Sequence, residues 1–202
     1  MSLFLSKVIS SIVELILFLI VPFLWWLLTA RKETGFAQWI GLKKTKGKTS
    51  QLTLWIIAIS AGFLLVSVLV LSLLKTTTMA TSEFAGLGIR ALPSILVYAI
   101  LNTSLPEELL FRGFLLKRLM IRFGFPVANL VQALIFGFLH GAMFFSTVGA
   151  QKAILIILFT GIIACLMGYT NEKKADGSII PGWIMHATAN IFSGICAAFL
   201  FF

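Results

Sequence analysis

The sequence predicts an all-α protein, a polytopic transmembrane helical bundle of about six spans, and three observations carry that reading. Hydrophobic residues make up 59% of the 202-residue chain and charged residues 11%, at a mean hydropathy of +1.05. Soluble domains run nearer about half apolar and about a quarter charged. The apolar residues form continuous runs, several of them long enough to cross a bilayer as helices. These runs do not alternate, and each is too long for a barrel strand, which excludes a transmembrane β-barrel. A multi-pass protein of the cell membrane follows.

The first run, residues 8–30, exceeds the apolar core of a signal peptide. Only Lys7 precedes it, and no small-x-small cleavage site comes before Arg31 and Lys32. It reads as a retained first helix, with Glu14 either near an interface or facing the bundle. Residues 31–50 read as a polar loop carrying Arg31, Lys32, Lys43, Lys44, Lys46 and Lys48. The second span is 52–74, followed by a polar connector over 75–90 with Lys75, Thr76, Thr77, Thr78 and two glycines. The third crossing, 91–118, is expected to break or kink at Pro106, because proline removes an N–H and its ring clashes with the preceding turn. Spans four and five are 126–145 and 153–169. A turn-bearing loop at 171–178 leads into the sixth span from residue 180. Residues 1–90 thus form an N-terminal pair of helices with a basic loop, and 91–202 a second unit holding the chemistry.

Charge distribution orients the bundle. The loops after spans one, three and five carry eleven basic residues; the opposite side carries four, Lys7, Lys75, Arg90 and Lys152. The positive-inside rule then puts both termini outside. All five tryptophans (Trp25, Trp26, Trp39, Trp55 and Trp183) fall near the inner ends, where interfacial rings belong. The net charge of +9 is therefore read as topology and anionic-lipid contact, with no nucleic-acid partner. Cys165 and Cys196 lie in separate apolar runs without CxxC spacing and read as small buried hydrophobes.

Against this apolar background stand Glu107, Glu108 and Arg112. The chain has seven acidic residues, and two of them are adjacent here. A charge at the bilayer centre costs about 2.5–3.5 kcal/mol on insertion scales, so three ask for roughly 8–10 kcal/mol before pairing. Ser104-Leu105-Pro106-Glu107 has the form of a helix capping box. A cap contributes only about 1 kcal/mol, too little to offset that burial. Glu108 and Arg112 are i,i+4 and suited to pair. Glu107 points about 100° away and is left without a local partner. An acid in low dielectric without a fixed counter-charge is suited to proton exchange.

The chain's two histidines also lie in apolar runs. His140 is bracketed by Gly137 and Gly141, a GxxxG spacing that lets another backbone approach closely. His186 and Asn190, at i,i+4, put an imidazole and a carboxamide on one helix face. Taken alone, His140 reads as a polar tie between helices, and the His186–Asn190 pair reads equally well as an interhelical hydrogen-bonding pair. Together, on three different spans, they suit water activation and oxyanion binding.

The set Glu107-Glu108-x-x-x-Arg112, Phe136-x-x-x-His140 and His186-x-x-x-Asn190 resembles the EExxxR, FxxxH and HxxxN motifs of the CAAX protease and bacteriocin-processing (CPBP, Abi) family. That family of intramembrane proteases includes the type II CAAX prenyl endopeptidases. The resemblance covers about residues 91–195 and implies hydrolysis of a peptide bond in a membrane-associated or lipidated peptide or protein substrate. It implies that Glu107 and His140 activate a water, that His186 and Asn190 bind the oxyanion, and that Glu108 and Arg112 brace the site. The family has also been described as metal-dependent. A divalent metal such as zinc would take Glu107, His140 and His186 as ligands, although no HExxH helix pre-places them. Residue counting puts Glu107 and His186 at comparable depth and His140 on the order of 10 Å nearer the outer face. Two rival readings stand beside it. One is a non-catalytic family member acting in bacteriocin immunity or partner binding. The other is a transporter, for which no matching motif residues occur before residue 100.

Overall fold

The computed structural model describes residues 1–45, 49–73 and 79–201. Lys46 and Lys48 of the basic loop, and Leu74, Lys75, Thr76, Thr77 and Thr78 of the second span's end and connector, lie outside the described residues. Every regular element among the described residues is helical. In order these are α1 (Leu3–Thr29), α2 (Phe36–Ile40), α3 (Thr49–Leu73), α4 (Leu92–Val97), α5 (Leu105–Glu108), α6 (Lys117–Tyr169) and α7 (Ile180–Ala198). Short 3₁₀ turns (Ala80–Phe84 and Gly88–Ala91) precede α4, and π-helical stretches (Tyr98–Ser104, Leu109–Leu116 and Thr170–Lys174) link its successors.

Three helical runs are long and apolar enough to cross a membrane: Leu3–Thr29, Ser50–Ser72 and Gly88–Lys174. The chain is a multi-pass membrane protein. The third run has 87 residues, about 130 Å if straight, several times the hydrocarbon thickness. It has to fold back, and it does so at Gly124 (φ 72°, ψ 167°) and Gly149 (φ 76°, ψ 171°). A Cβ at either position would meet open space. Positive φ, and not crowding, is what requires glycine there. Within α6 these breaks leave legs at 125–148 and 150–169.

The legs pack through small residues. A Cβ on Gly137 would lie 2.5 Å from the carbonyl oxygen of Ile157, and one on Gly141 would strike the Ile157 side chain. The close approach suggested by the GxxxG spacing is therefore to the following leg of the same helix. Between them Asn129 Nδ2 donates to the Cys165 carbonyl (3.0 Å) and Gln132 Nε2 to the Ala164 carbonyl (3.1 Å). Both cysteines are free. Helix α7 packs on α3 and α6, where Met185 joins Ile59, Ile163 and Met167. Its C-terminal Ala198 joins Phe84, Ile95 and Tyr98 in a second cluster. Helix α1 turns Ile16, Leu17, Val21, Leu24 and Leu28 outward, the face of a helix against lipid.

Three local expectations are corrected. The basic loop after α1 is not wholly polar coil: Phe36–Ile40 is a helix, and Ile40 is fully buried against Leu109, Phe114 and Ile179. Gly113 admits it, since a Cβ there would lie 2.6 Å from the Ile40 carbonyl oxygen. Of the break or kink expected at Pro106, the outright break is absent. Ser104 and Leu105 keep right-handed helical dihedrals, and the helix takes π geometry on both sides, which accommodates the ring by changing pitch. Ser104 is accordingly no N-cap; its hydroxyl accepts from another helix. Finally, Trp183 is an internal tie and not a free interfacial ring, its Nε1 donating to the Ile100 carbonyl at 2.8 Å.

Candidate active site

Glu108 and Arg112, one turn apart, are wholly buried and form an ion pair at 3.0 Å. The guanidinium also lies 4.3 Å from the centroid of the Phe136 ring. That ring is a shelf for the site: it stands 4.3 Å from the His140 ring and 5.9 Å from that of His186, and Phe111 meets it edge-on at 5.0 Å. The carboxylate and the ring face partly offset the burial of the guanidinium, whose three nitrogens have no hydrogen-bond partner among the described residues.

His186 reaches the pair from α7. Its Nδ1 is 3.2 Å from Glu108 Oε1. A carboxylate accepts, so Nδ1 carries the proton and the Nε2 lone pair of the neutral ring faces away from Glu108. His140 Nδ1 is 2.9 Å from the Phe136 carbonyl, which likewise only accepts. Its Nε2 is therefore also bare when the ring is neutral. Both bare nitrogens point at one atom. Glu107 Oε2 lies 3.7 Å from His186 Nε2 and 4.0 Å from His140 Nε2, and it is buried without a hydrogen-bond partner. Side-chain exposure falls from 26% at His140 and 20% at Glu107 to 10% at His186, so the site opens past His140.

The structure brings Glu107, His140 and His186 together. The depth offset from residue counting does not hold, because the helices continue past the apolar runs. Lys117–Phe123 is helical despite its charges, and the reversal comes only at Gly124. Asn190 is also adjacent, but its amide is engaged. Nδ2 donates to Thr103 Oγ1 at 2.8 Å and to Ser104 Oγ at 3.1 Å. These hydroxyls sit in the π-helical stretch just before Pro106, and nothing in their sequence context separates them from a helix cap.

Asn171 has a position that sequence reasoning missed. It is fully buried, and its Oδ1 accepts from the Gly182 N–H at 2.8 Å. Its Nδ2 and Glu108 Oε2 both lie 2.6 Å from where a Gly182 Cβ would stand. Glycine at 182 is what lets the amide and the carboxylate meet the start of α7. Asn171 lies in a run of polar residues that reads as loop, so no periodicity marks it. Glu14, on α1, lies beside Asn102 and within electrostatic reach of Glu107 and Lys7. Lys7 itself pairs with Glu83.

Glu107, His140 and His186 offer donor types that suit a divalent metal. Among the described residues, however, no group of three or more His, Cys, Asp or Glu side chains is arranged to hold an ion. Beside the site a cavity of about 180 Å³ is lined by His140, Asn190, Thr160 and Ser193 together with Phe63 and Phe144. It joins two polar side chains of the site to an apolar wall.

The family model described as Type II CAAX prenyl endopeptidase Rce1-like matches residues 89–192, slightly more than half of the chain. The match contains Glu107, Glu108, Arg112, His140, Asn171, His186 and Asn190. No curated protein and no solved structure matches the chain.

Proposed function

This chain belongs to the type II CAAX prenyl endopeptidase Rce1-like family, and from that premise we propose an intramembrane endopeptidase working through a water held between Glu107 and two imidazoles. One observation carries the reading. Glu107 Oε2 is buried, has no hydrogen-bond partner and faces both Nε2 atoms at 3.7 and 4.0 Å. Those gaps are too long for direct hydrogen bonds and short enough for one water to reach all three atoms.

In the proposed reaction Glu107, helped by His140, takes a proton from that water as its oxygen attacks the scissile carbonyl carbon. The tetrahedral oxyanion lies toward α7. There His186, its Nδ1–H held by Glu108, donates from Nε2 when protonated. Asn190 turns an N–H from a threonine or serine hydroxyl to the substrate. Glu107 returns its proton to the amide nitrogen as the C–N bond breaks, leaving a carboxylic acid and an amine. Arg112 neutralises Glu108, so Glu108 orients His186 without competing as a base. The cavity beside His140 suits an apolar side chain or attached lipid of a membrane-associated substrate.

The test compares new peptide termini in membranes expressing wild-type protein, Glu107→Gln and His140→Ala at matched abundance. Termini present with wild type and absent with both variants support the reading, and Glu107→Gln should then co-purify with the uncut substrate. If both variants produce the wild-type set of termini, the protease reading is wrong.

A further inference from the structure

Two arginines near the basic end of the bundle take no part in this site. Arg118 and Arg122 are one turn apart on α6 and share a helix face. With Trp25, Trp39, Thr29 and Glu33 they line a hollow of about 430 Å³. The guanidinium of half-buried Arg118 lies 4.3 Å from the Trp39 ring centroid, and its Nε is cut off from solvent with no hydrogen-bond partner. Its neighbour Lys117 is paired with Glu172 (2.6 Å) and donates to the Gly177 carbonyl (2.8 Å). Among the described residues, by contrast, no carboxylate comes within ion-pairing distance of Arg118 or Arg122. Glu33, on the rim, is paired with neither. Next to it in the chain stand Arg31 and Lys32, so the neighbourhood is cationic overall.

We infer that this hollow binds the phosphodiester headgroup of an anionic phospholipid. A cation partly withdrawn from water needs an anion, and two guanidiniums on one face offer paired donors to phosphate oxygens. The surroundings select a lipid. Trp25 on α1 and Ile121 on α6, which line the hollow, are exposed apolar side chains. Acyl chains have a surface to lie on once the headgroup is seated. Basic pockets between membrane helices are known chemistry for such headgroups.

The experiment uses the full chain in detergent with equimolar phosphatidylglycerol and phosphatidylcholine, and native mass spectrometry reads which lipid is retained. Wild type should keep phosphatidylglycerol preferentially. Arg118→Gln with Arg122→Gln should lower that preference by about tenfold or more, the loss of two cation–phosphate contacts. Exposed Arg122→Gln alone, which disturbs no packing, should lower it by about threefold or more. Lys43→Gln with Lys44→Gln removes the same charge elsewhere and should leave it unchanged. Equal retention of both lipids by wild type, an unchanged preference in the arginine variants, or an equal loss in the lysine pair would overturn the site. None of these readouts involves proteolysis, so the two proposals fail separately.

Discussion

Removing the Arg112 side chain strands Glu108 in the interior as an uncompensated carboxylate, and breaking such a buried pair costs about 3–5 kcal/mol. Arg112→Ala should therefore lower the thermal midpoint in detergent sharply. Replacing both partners, Glu108→Leu with Arg112→Met, should recover most of that stability, because matched apolar groups fill the space without desolvation. Activity should stay lost, since His186 Nδ1 then has no acceptor. If the double variant proves active, Glu108 does not orient the histidine. Gly182→Ala tests the same corner by size. Its methyl would stand 2.6 Å from Glu108 Oε2 and Asn171 Nδ2, so a loss of about 1–3 kcal/mol from overpacking is expected, together with loss of cleavage. An alanine that leaves both intact would contradict the packing described. At this scale much was legible, because i,i+4 spacing alone pairs Glu108 with Arg112 and isolates Glu107. The engagement of Asn190 with Thr103 and Ser104, and the clamp at Asn171, were not. Both join residues at least 11 positions apart in the chain, and no periodicity encodes such contacts.

Helices set where those side chains meet. His140 reaches Glu107 because Gly137 and Gly141 let two legs of α6 pack closely, with the Ile157 carbonyl oxygen 2.5 Å from any Gly137 Cβ. A backbone atom cannot step aside as a side-chain tip does. Gly137→Ala should push the legs apart, costing about 1–3 kcal/mol and lowering kcat more than KM through the displaced imidazole. A variant with wild-type kcat would show that the separation of the legs does not set the histidine's position. Long apolar runs such as α1 and α3 can be read directly from composition. Helix α2 could not, because five residues inside a basic loop carry too little pattern and are ordered by burial of Ile40. Span ends also went astray where charged residues such as Lys117 and Arg118 continue a helix. Tertiary contacts, the Lys117–Glu172 ion pair and the Arg118–Trp39 stack, hold those charges there.

For the molecule as a whole, charge asymmetry sets an orientation that can be measured. In a variant lacking Cys165 and Cys196, a cysteine placed at Lys44 should react with an impermeant thiol reagent only from the cytoplasmic side. One placed at Ser2 should react only from outside. Labelling of both from the same side would overturn the arrangement. The fold brings one carboxyl and two imidazoles, on separate helical segments, to a common point. Because the chain has two histidines, a ¹⁵N imidazole spectrum of the labelled protein contains two rings, and each can be followed alone. Glu107→Gln should shift the Nε2 signals of both rings, whereas Glu83→Gln, at a carboxylate paired with Lys7, should shift neither. Two histidine signals that ignore the replacement of Glu107 would contradict the account at its centre.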